Sequence, residues 1–345
     1  MKDKIRVGIT HGDFNGISYE IIMKTFSDAS INEFFMPVVY GSAKAAAYYR
    51  KVLNLEQFNF NQINSVDEAN PKKTNILNVS DNVKVEMGIP TQASKLSAMK
   101  ALDAAAADLR DGKIDVIVTC PTDKSNSTSE LPDFTGHTEY FAAKFNVADY
   151  MAVMISDLMK IGFVTGNIPL VQAAESINMD LALSKLCVLN NCLKTDFIIR
   201  APRIAVLSLN PHDGEEEKNI IRPMIEEAKS KGILAFGTYS SDGFFASGAF
   251  RNFDAVLAMY YDQGMIPFKS IGLSRGVNYT AGLPVVRTSP AHGAGHDIAG
   301  KGMALPNSLR DAIFLAAEIH SNRSTQSEII ANPLQVKMEH RSEMK

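Results

Sequence analysis

The chain is poor in several features that would settle its class at a glance. Its three cysteines (Cys120, Cys187 and Cys192) are an odd number and form no CxxC pair. That argues against a disulfide framework or a cysteine-built zinc site and suits a reducing compartment. Charge of one sign is missing too. With a formal net charge of −3, no basic field draws the chain to nucleic acid or an anionic membrane. No segment approaches the run of about 18 apolar residues that a membrane helix needs. The opening MKDKIRVGIT lacks the apolar core of a signal peptide. Repeats, low-complexity tracts and long linkers are also absent. These features predict a soluble, cytoplasmic protein that binds neither nucleic acid nor membrane.

What is present is an ordinary globular composition, 46% hydrophobic and 21% charged over 345 residues. A chain of that length hides roughly three quarters of its unfolded surface and makes two lobes or one large α/β unit. Short β-branched runs alternate with longer helical patterns. Strands are predicted over 5–10, 36–41, 114–120, 159–166, 202–210 and 253–261. Helices are predicted over 19–26, 43–53, 91–109, 180–193 and 309–320. Strand followed by helix argues for an α/β protein with a largely parallel sheet. The polar segment 125–133 is the candidate crossing between lobes.

Ligands of such sheets gather at the carboxyl ends of the strands, and several predicted strands here end in polar clusters. These are THGD (10–13), TCPTDK (119–124), VTGN (164–167), LNPHDG (209–214) and YYDQG (260–264). THGDFNG (10–16) reads either as an anion cradle at a helix start or as a tight strand-to-helix turn capped by Asn15. TGHTEY (135–140) offers His137 and Thr138 side by side, as donors to an anion or with Thr138 as a helix cap. LNPHDG sets His212 just past a strand, as metal ligand, base or structural histidine. EEEK (215–218) reads as a solvated helix start. Residues 268–289 carry Lys269, Arg275, Asn278 and Arg287, and no acid occurs between 263 and 296. Converging cations there would make an anion pocket.

Taken in order, VGITHGDFNG, TGHTEY, LSLNPHDG, AVLAMYYDQGMIPFK, RGVNYTAGLPVVRTS and HGAGHDIAG resemble the 4-hydroxythreonine-4-phosphate dehydrogenase family of pyridoxal phosphate biosynthesis, nearly end to end. TSPAHGAGHDIAGKG (288–302) is also similar to a loop of isocitrate and isopropylmalate dehydrogenases that lies against the adenosine half of NAD(P). The resemblance implies a two-lobed isocitrate/isopropylmalate-dehydrogenase-like α/β fold with an interlobe cleft. The first lobe would comprise 1–128 plus 288–345, and the second 129–287, with the chain working as a homodimer. That fold is not the Rossmann type, so the lack of GxGxxG is no objection.

The implied reaction is NAD-dependent oxidation of 4-phosphooxy-L-threonine at C3 to a β-keto acid that loses carbon dioxide. The implied substrate residues are His137, Thr138, Lys269, Asn278 and Arg287. Implied for the dinucleotide are His292, Gly293 and Asp297, with Asp242, Asp262 and Lys124 lining the site. A divalent metal is implied as well, held in the family by three histidines drawn from both subunits. Of these His212 remains, while Asn167 of TGNIPL and Tyr261 of YYDQG stand where the other two would be. The glycine-rich stretch usual after NPHAG is missing too. A carboxamide and a phenol are poor substitutes for imidazole toward zinc, and a hard ion would look to Asp242, Asp262 and water. A retained substrate grip with an altered metal set implies the family reaction, a related phosphorylated hydroxy acid as substrate, or a phosphate-binding protein without turnover.

Overall fold

The computed structural model describes residues 4–81, 83–122, 136–272 and 275–331. Among these, twelve strands form one sheet. Its first block contains β1 (Ile5–Thr10), β2 (Phe35–Gly41), β3 (Asn61–Ile63), β4 (Asn75–Asn78) and β5 (Val116–Thr119). The other strands are β6 (Met151–Ile155), β7 (Lys160–Phe163), β8 (Arg203–Leu207), β9 (Leu234–Tyr239), β10 (Ala255–Ala258), β11 (Val277–Ala281) and β12 (Arg287–Pro290). The order across the sheet is β3-β4-β2-β1-β5-β12-β11-β6-β7-β10-β8-β9.

Helices cover the sheet and shorter ones line its loops. They are α1 (Ser18–Phe26), α2 (Ile31–Phe34), α3 (Ala43–Val52), α4 (Gln92–Arg110), α5 (His137–Lys144) and α6 (Leu170–Ser176). After these come α7 (Met179–Thr195), α8 (Arg222–Ser230), α9 (Ser241–Ala246), α10 (Tyr261–Gly272) and α11 (Asn307–Ala331). Local sequence explains the long ones. In α4, Thr91 caps the first turn in a capping box with Ser94, and Ala98, Ala101, Leu102, Ala105, Ala106 and Leu109 make a narrow buried stripe. Asn178 caps α7 by accepting from the Leu181 N–H at 2.9 Å.

The sheet is not uniformly parallel. Strands β3, β4, β2, β1, β5 and β12 run one way, and β7, β10, β8 and β9 run parallel to one another. Between the blocks, β11 is antiparallel to both β12 and β6, and β6 is antiparallel to β7. The parallel strands have near-continuous buried runs, such as Val116–Thr119 and Ala255–Ala258, as strands covered on both faces require. Strand β12 breaks that pattern. Its residues Arg287, Thr288, Ser289 and Pro290 are all buried, so a buried strand here carries an arginine.

Candidate active site

Register places the polar residues of the central strands on one face. Thr280 of β11 stands opposite Arg287 of β12, one step on from the Tyr279–Thr288 pair, and Asn278 stands opposite Ser289. On the other side β12 pairs in parallel with β5, Arg287 beside Ile117, so Thr119 projects to the same face two residues further on. Helix α5 lies over this face. Its Phe141 and Ala142 pack with Tyr40, Ala101, Leu102 and Ile117, and the start of the helix is thereby held over the arginine.

Arg287 is 1% exposed and has no carboxylate partner among the described residues. Its Nη2 and Nε donate to the Thr119 hydroxyl at 2.6 and 3.1 Å, and Nη1 donates to Thr280 at 3.2 Å. Burial pulls its guanidinium down to about 9, which leaves it a cation at neutral pH, and the nearby Glu139 carboxylate opposes that shift. Among the described residues this buried cation is hydrogen-bonded only by neutral hydroxyls, an arrangement that calls for an anion. Thr138 lies 3.3 Å from Thr280. His137 has Nδ1 at 3.4 Å from Thr119 and Nε2 at 3.4 Å from Thr122. Asn278 brings a buried side-chain oxygen that has no hydrogen-bond partner among the described residues. His137, Thr138 and Arg287 thus meet in one polar cluster, with Asn278 on the same face of the sheet. Thr119, Thr122 and Thr280 complete it, and sequence reasoning missed all three as site residues. The one clue was the TCPTDK cluster at a strand end.

Of the other candidates, Arg275 has its ionic partner elsewhere. Arg275 forms an exposed ion pair with Asp311 at 2.8 Å, so it does not join the anion pocket that the cation-rich segment suggested. Lys269, exposed on α10, lies near enough to His292 that its charge and burial together lower that imidazole, burial being the larger effect. Lys124 lies outside the described residues.

The glycine-rich loop after β12 has two faces. Ala294 accepts from the Ile17 N–H at 2.9 Å, and a Cβ on Gly16 would come within 2.3 Å of the Ala294 oxygen. Gly295 adopts φ 57 against Ile17, a conformation that favours glycine. Small residues here let the loop press onto the start of α1. Gly293 faces the other way, exposed, with nothing within 4 Å of a Cβ position. His292 is half-buried beside it and Asp297 is exposed.

THGDFNG is a buried turn and not an anion cradle. Asp13 accepts from the Asn15 N–H at 2.8 Å and faces His296 Nε2 at 3.1 Å. Asn15 does not cap α1, because its side chain reaches away to Glu86, Ile89 and Thr91. His11 is buried between Phe14 and Tyr19, and burial drives its imidazole down to about 4. Thr138 is not a cap either, since Gly136 holds that position and Thr138 is buried against Thr280.

The positions implied for the metal carry one imidazole, that of His212. Asn167, Tyr261 and His212 leave the adjacent strands β7, β10 and β8. Among the described residues no group of three or more histidine, cysteine or acidic side chains gathers as a metal site. Asn167 and His212 are exposed. Tyr261 packs on Phe163 at 5.4 Å between ring centres, and burial, with help from Asp262, raises its phenol. Asp262 is exposed, as is Asp242, whose carboxyl is lowered by Ser240, by the Gly243 N–H and by His212 nearby. A three-imidazole centre does not fit this donor set.

The loop bearing His212 has its own anchor. Glu217 is fully buried, and its carboxylate accepts from the N–H groups of Leu209 (2.7 Å), Asn210 (2.9 Å) and Gly214 (2.8 Å) and from the Asn210 carboxamide (3.0 Å). Burial alone would raise its carboxyl, but these donors outweigh it and hold it below the usual range. EEEK is therefore not simply a solvated start. Glu215 is exposed, whereas Glu217 is the internal acceptor that shapes the loop.

A sheet of this order with its polar face over the central strands is that of the isocitrate-dehydrogenase-like α/β proteins. The isocitrate dehydrogenase of Methylococcus capsulatus shares this fold at 13% identity, with a TM-score of 0.50 over 95% of this chain and 89% of that one. Within that class the chain belongs to the family of the pyridoxal phosphate biosynthetic protein PdxA, whose profile matches residues 33–316. The 4-hydroxythreonine-4-phosphate dehydrogenase of Bacteroides thetaiotaomicron is 46% identical over 341 residues, 96% of this chain and 93% of its own length. The crystal structure of the same-named enzyme from Klebsiella pneumoniae is 30% identical. Its TM-score is 0.77, with 92% of this chain and 100% of that one covered.

Proposed function

We propose that the chain is an NAD-dependent dehydrogenase that oxidises 4-phosphooxy-L-threonine at C3, in pyridoxal 5'-phosphate biosynthesis. The observation that carries this reading is Arg287, a buried cation with no carboxylate bonded to it among the described residues, gripped by Thr119 and Thr280 beside His137 and Thr138. Its missing partner is an anionic group of the substrate, bound by charge-assisted hydrogen bonds. Lys269 supplies a second cation near the cofactor loop, and Asn278 an acceptor for a substrate donor.

NAD fits at the open face of the 292–297 loop, where Gly293 leaves room and His292 and Asp297 offer polar contacts. Bound there, it would supply the hydride acceptor for oxidation at C3. The hydroxyl proton is released to water, and the resulting β-keto acid loses carbon dioxide to leave 3-amino-2-oxopropyl phosphate. The residues around the pocket hold the substrate so that C3 faces the cofactor loop, which is a gain in orientation. No step is assigned to a metal. The exposed carboxylates of Asp242 and Asp262 suit a hard ion better than zinc.

This reading extends to a homodimer with lobes comprising 1–128 plus 288–345 and 129–287. The test is NADH formation from 4-phosphooxy-L-threonine by the full chain, with Zn²⁺, Mg²⁺, Mn²⁺ or Co²⁺ and with a strong chelator. Substrate-dependent NADH, higher with Mg²⁺ or Mn²⁺ than with Zn²⁺, is the expected result. No NADH under any of these conditions, with phosphate compounds still bound, would favour the non-catalytic binding protein.

A further inference from the structure

We infer that Thr119 is a positioning residue: saturated as an acceptor by Arg287, its hydroxyl donates to Nδ1 of His137 and so presents the imidazole's Nε2–H to the substrate. The inference rests on reading this pocket as the substrate site, but its first test needs no substrate.

A threonine hydroxyl has two lone pairs and one hydrogen. Arg287 takes both lone pairs of Thr119, from Nη2 at 2.6 Å and Nε at 3.1 Å. A guanidinium accepts nothing, so the Thr119 hydrogen cannot turn back toward it. Nδ1 of His137 lies 3.4 Å away on the other side. A hydrogen on that nitrogen would aim at an oxygen with no lone pair left. The lone pair of Nδ1 therefore faces Thr119, and the ring hydrogen is carried on Nε2. That nitrogen is 3.4 Å from Thr122 Oγ1, a hydroxyl able to accept it until a substrate oxygen takes over. Both distances are long for hydrogen bonds, as is usual for sites that tighten around a ligand.

The arrangement makes two neutral groups serve one cation. Arg287 supplies the charge, Thr119 carries its orientation to the ring, and His137 offers a second donor to the same anion. His137 then acts as a donor to an acceptor oxygen and not as the base for the C3 hydroxyl, because Nδ1 is engaged by Thr119 and Nε2 carries the hydrogen.

Ring ¹⁵N spectra of the full chain labelled at histidine test this directly, with the His137 signals assigned by their loss in His137→Gln. The expected result is a protonated Nε2 and an unprotonated Nδ1 at neutral pH. A protonated Nδ1 in the unsubstituted protein overturns the inference, even if the enzyme turns over. In Thr119→Val the tautomer preference should be lost, and KM for the phosphorylated substrate should rise about tenfold while KM for NAD holds. Thr119→Ser should restore both. If Thr119→Val does not fold, the parent spectrum and Thr119→Ser decide, and a Ser variant without the Nε2–H preference also sinks the idea. An Nε2–H ring in a protein that forms no NADH would instead leave the positioning intact and remove the proposed reaction.

Discussion

Two sets of strand ends carry the polar residues of this chain, and they are built in opposite ways. Around β5, β11 and β12, Thr119, Thr138, Thr280 and Arg287 are buried and bonded to one another, with Arg287 at the centre. Around β7, β8 and β10 the corresponding side chains, Asn167 and His212, are exposed, and Tyr261 packs on Phe163. In the first region each functional residue also holds its neighbour, so replacing one strands another. In the second the backbone is anchored by Glu217 and Gln263, whose carboxamide joins Ser208 (2.6 Å) and Met259 (2.7 Å). The side chains beyond those anchors have few partners to lose. A site whose members are mutually dependent resists drift, and one whose support is separate from its ligands does not.

The largest expected effect is at the centre of the interlocked region. Arg287→Met should weaken binding of 4-phosphooxy-L-threonine by roughly 2–5 kcal/mol, as for loss of a desolvated charged partner. NAD binding should hardly change, and calorimetry with each ligand separates the two. Equal losses would show that the arginine serves the fold as a whole.

Acid probes the same half of the molecule. The folded value of His11, about 4, lies below its ordinary 6.5, so between these values the unfolded chain binds the extra proton. Stability is therefore full above about 6.5 and falls as pH drops toward 4, by about 3 kcal/mol in all. Melting temperatures across that window should fall in the parent and fall less in His11→Gln. Parallel curves would assign the acid loss to other groups.

The exposed region is broken in the opposite sense, by adding what it lacks. Asn167→His with Tyr261→His should raise zinc affinity by about a hundredfold, and more than the single changes predict. Zinc binding no tighter than in the parent would mean that these three strand exits do not converge in the assembled protein.

Much of the frame could be read from residue patterns. The runs at 5–10, 114–120, 202–210 and 253–261 are strands to within a few residues, because buried parallel strands are apolar throughout. The helix predicted at 91–109 spans Gln92–Arg110, marked by its Thr91 cap. Strands β11 and β12 escaped because VNYTA and RTSP are polar where the site enters the sheet, so neither shows an apolar run. His137, Thr138, Asn278 and Arg287 were singled out in TGHTEY and the cation-rich segment and given a substrate role by resemblance; Thr138 and Arg287 both lie against Thr280, and His137 against Thr119. Thr119 and Glu217 were not singled out, for a physical reason. A threonine ending a strand and a glutamate in an acidic run look ordinary until folding shows which donors surround them.

The unbroken sheet also has a mechanical meaning. Its ladder passes from the first block to the second through β12, β11 and β6 as one hydrogen-bonded sheet. Turning one block against the other would have to shear or twist hydrogen-bonded strands, and Thr280 and Arg287 sit on two of them. The floor of the pocket is thus a stiff beam, so motions that admit substrate should fall to the surrounding loops.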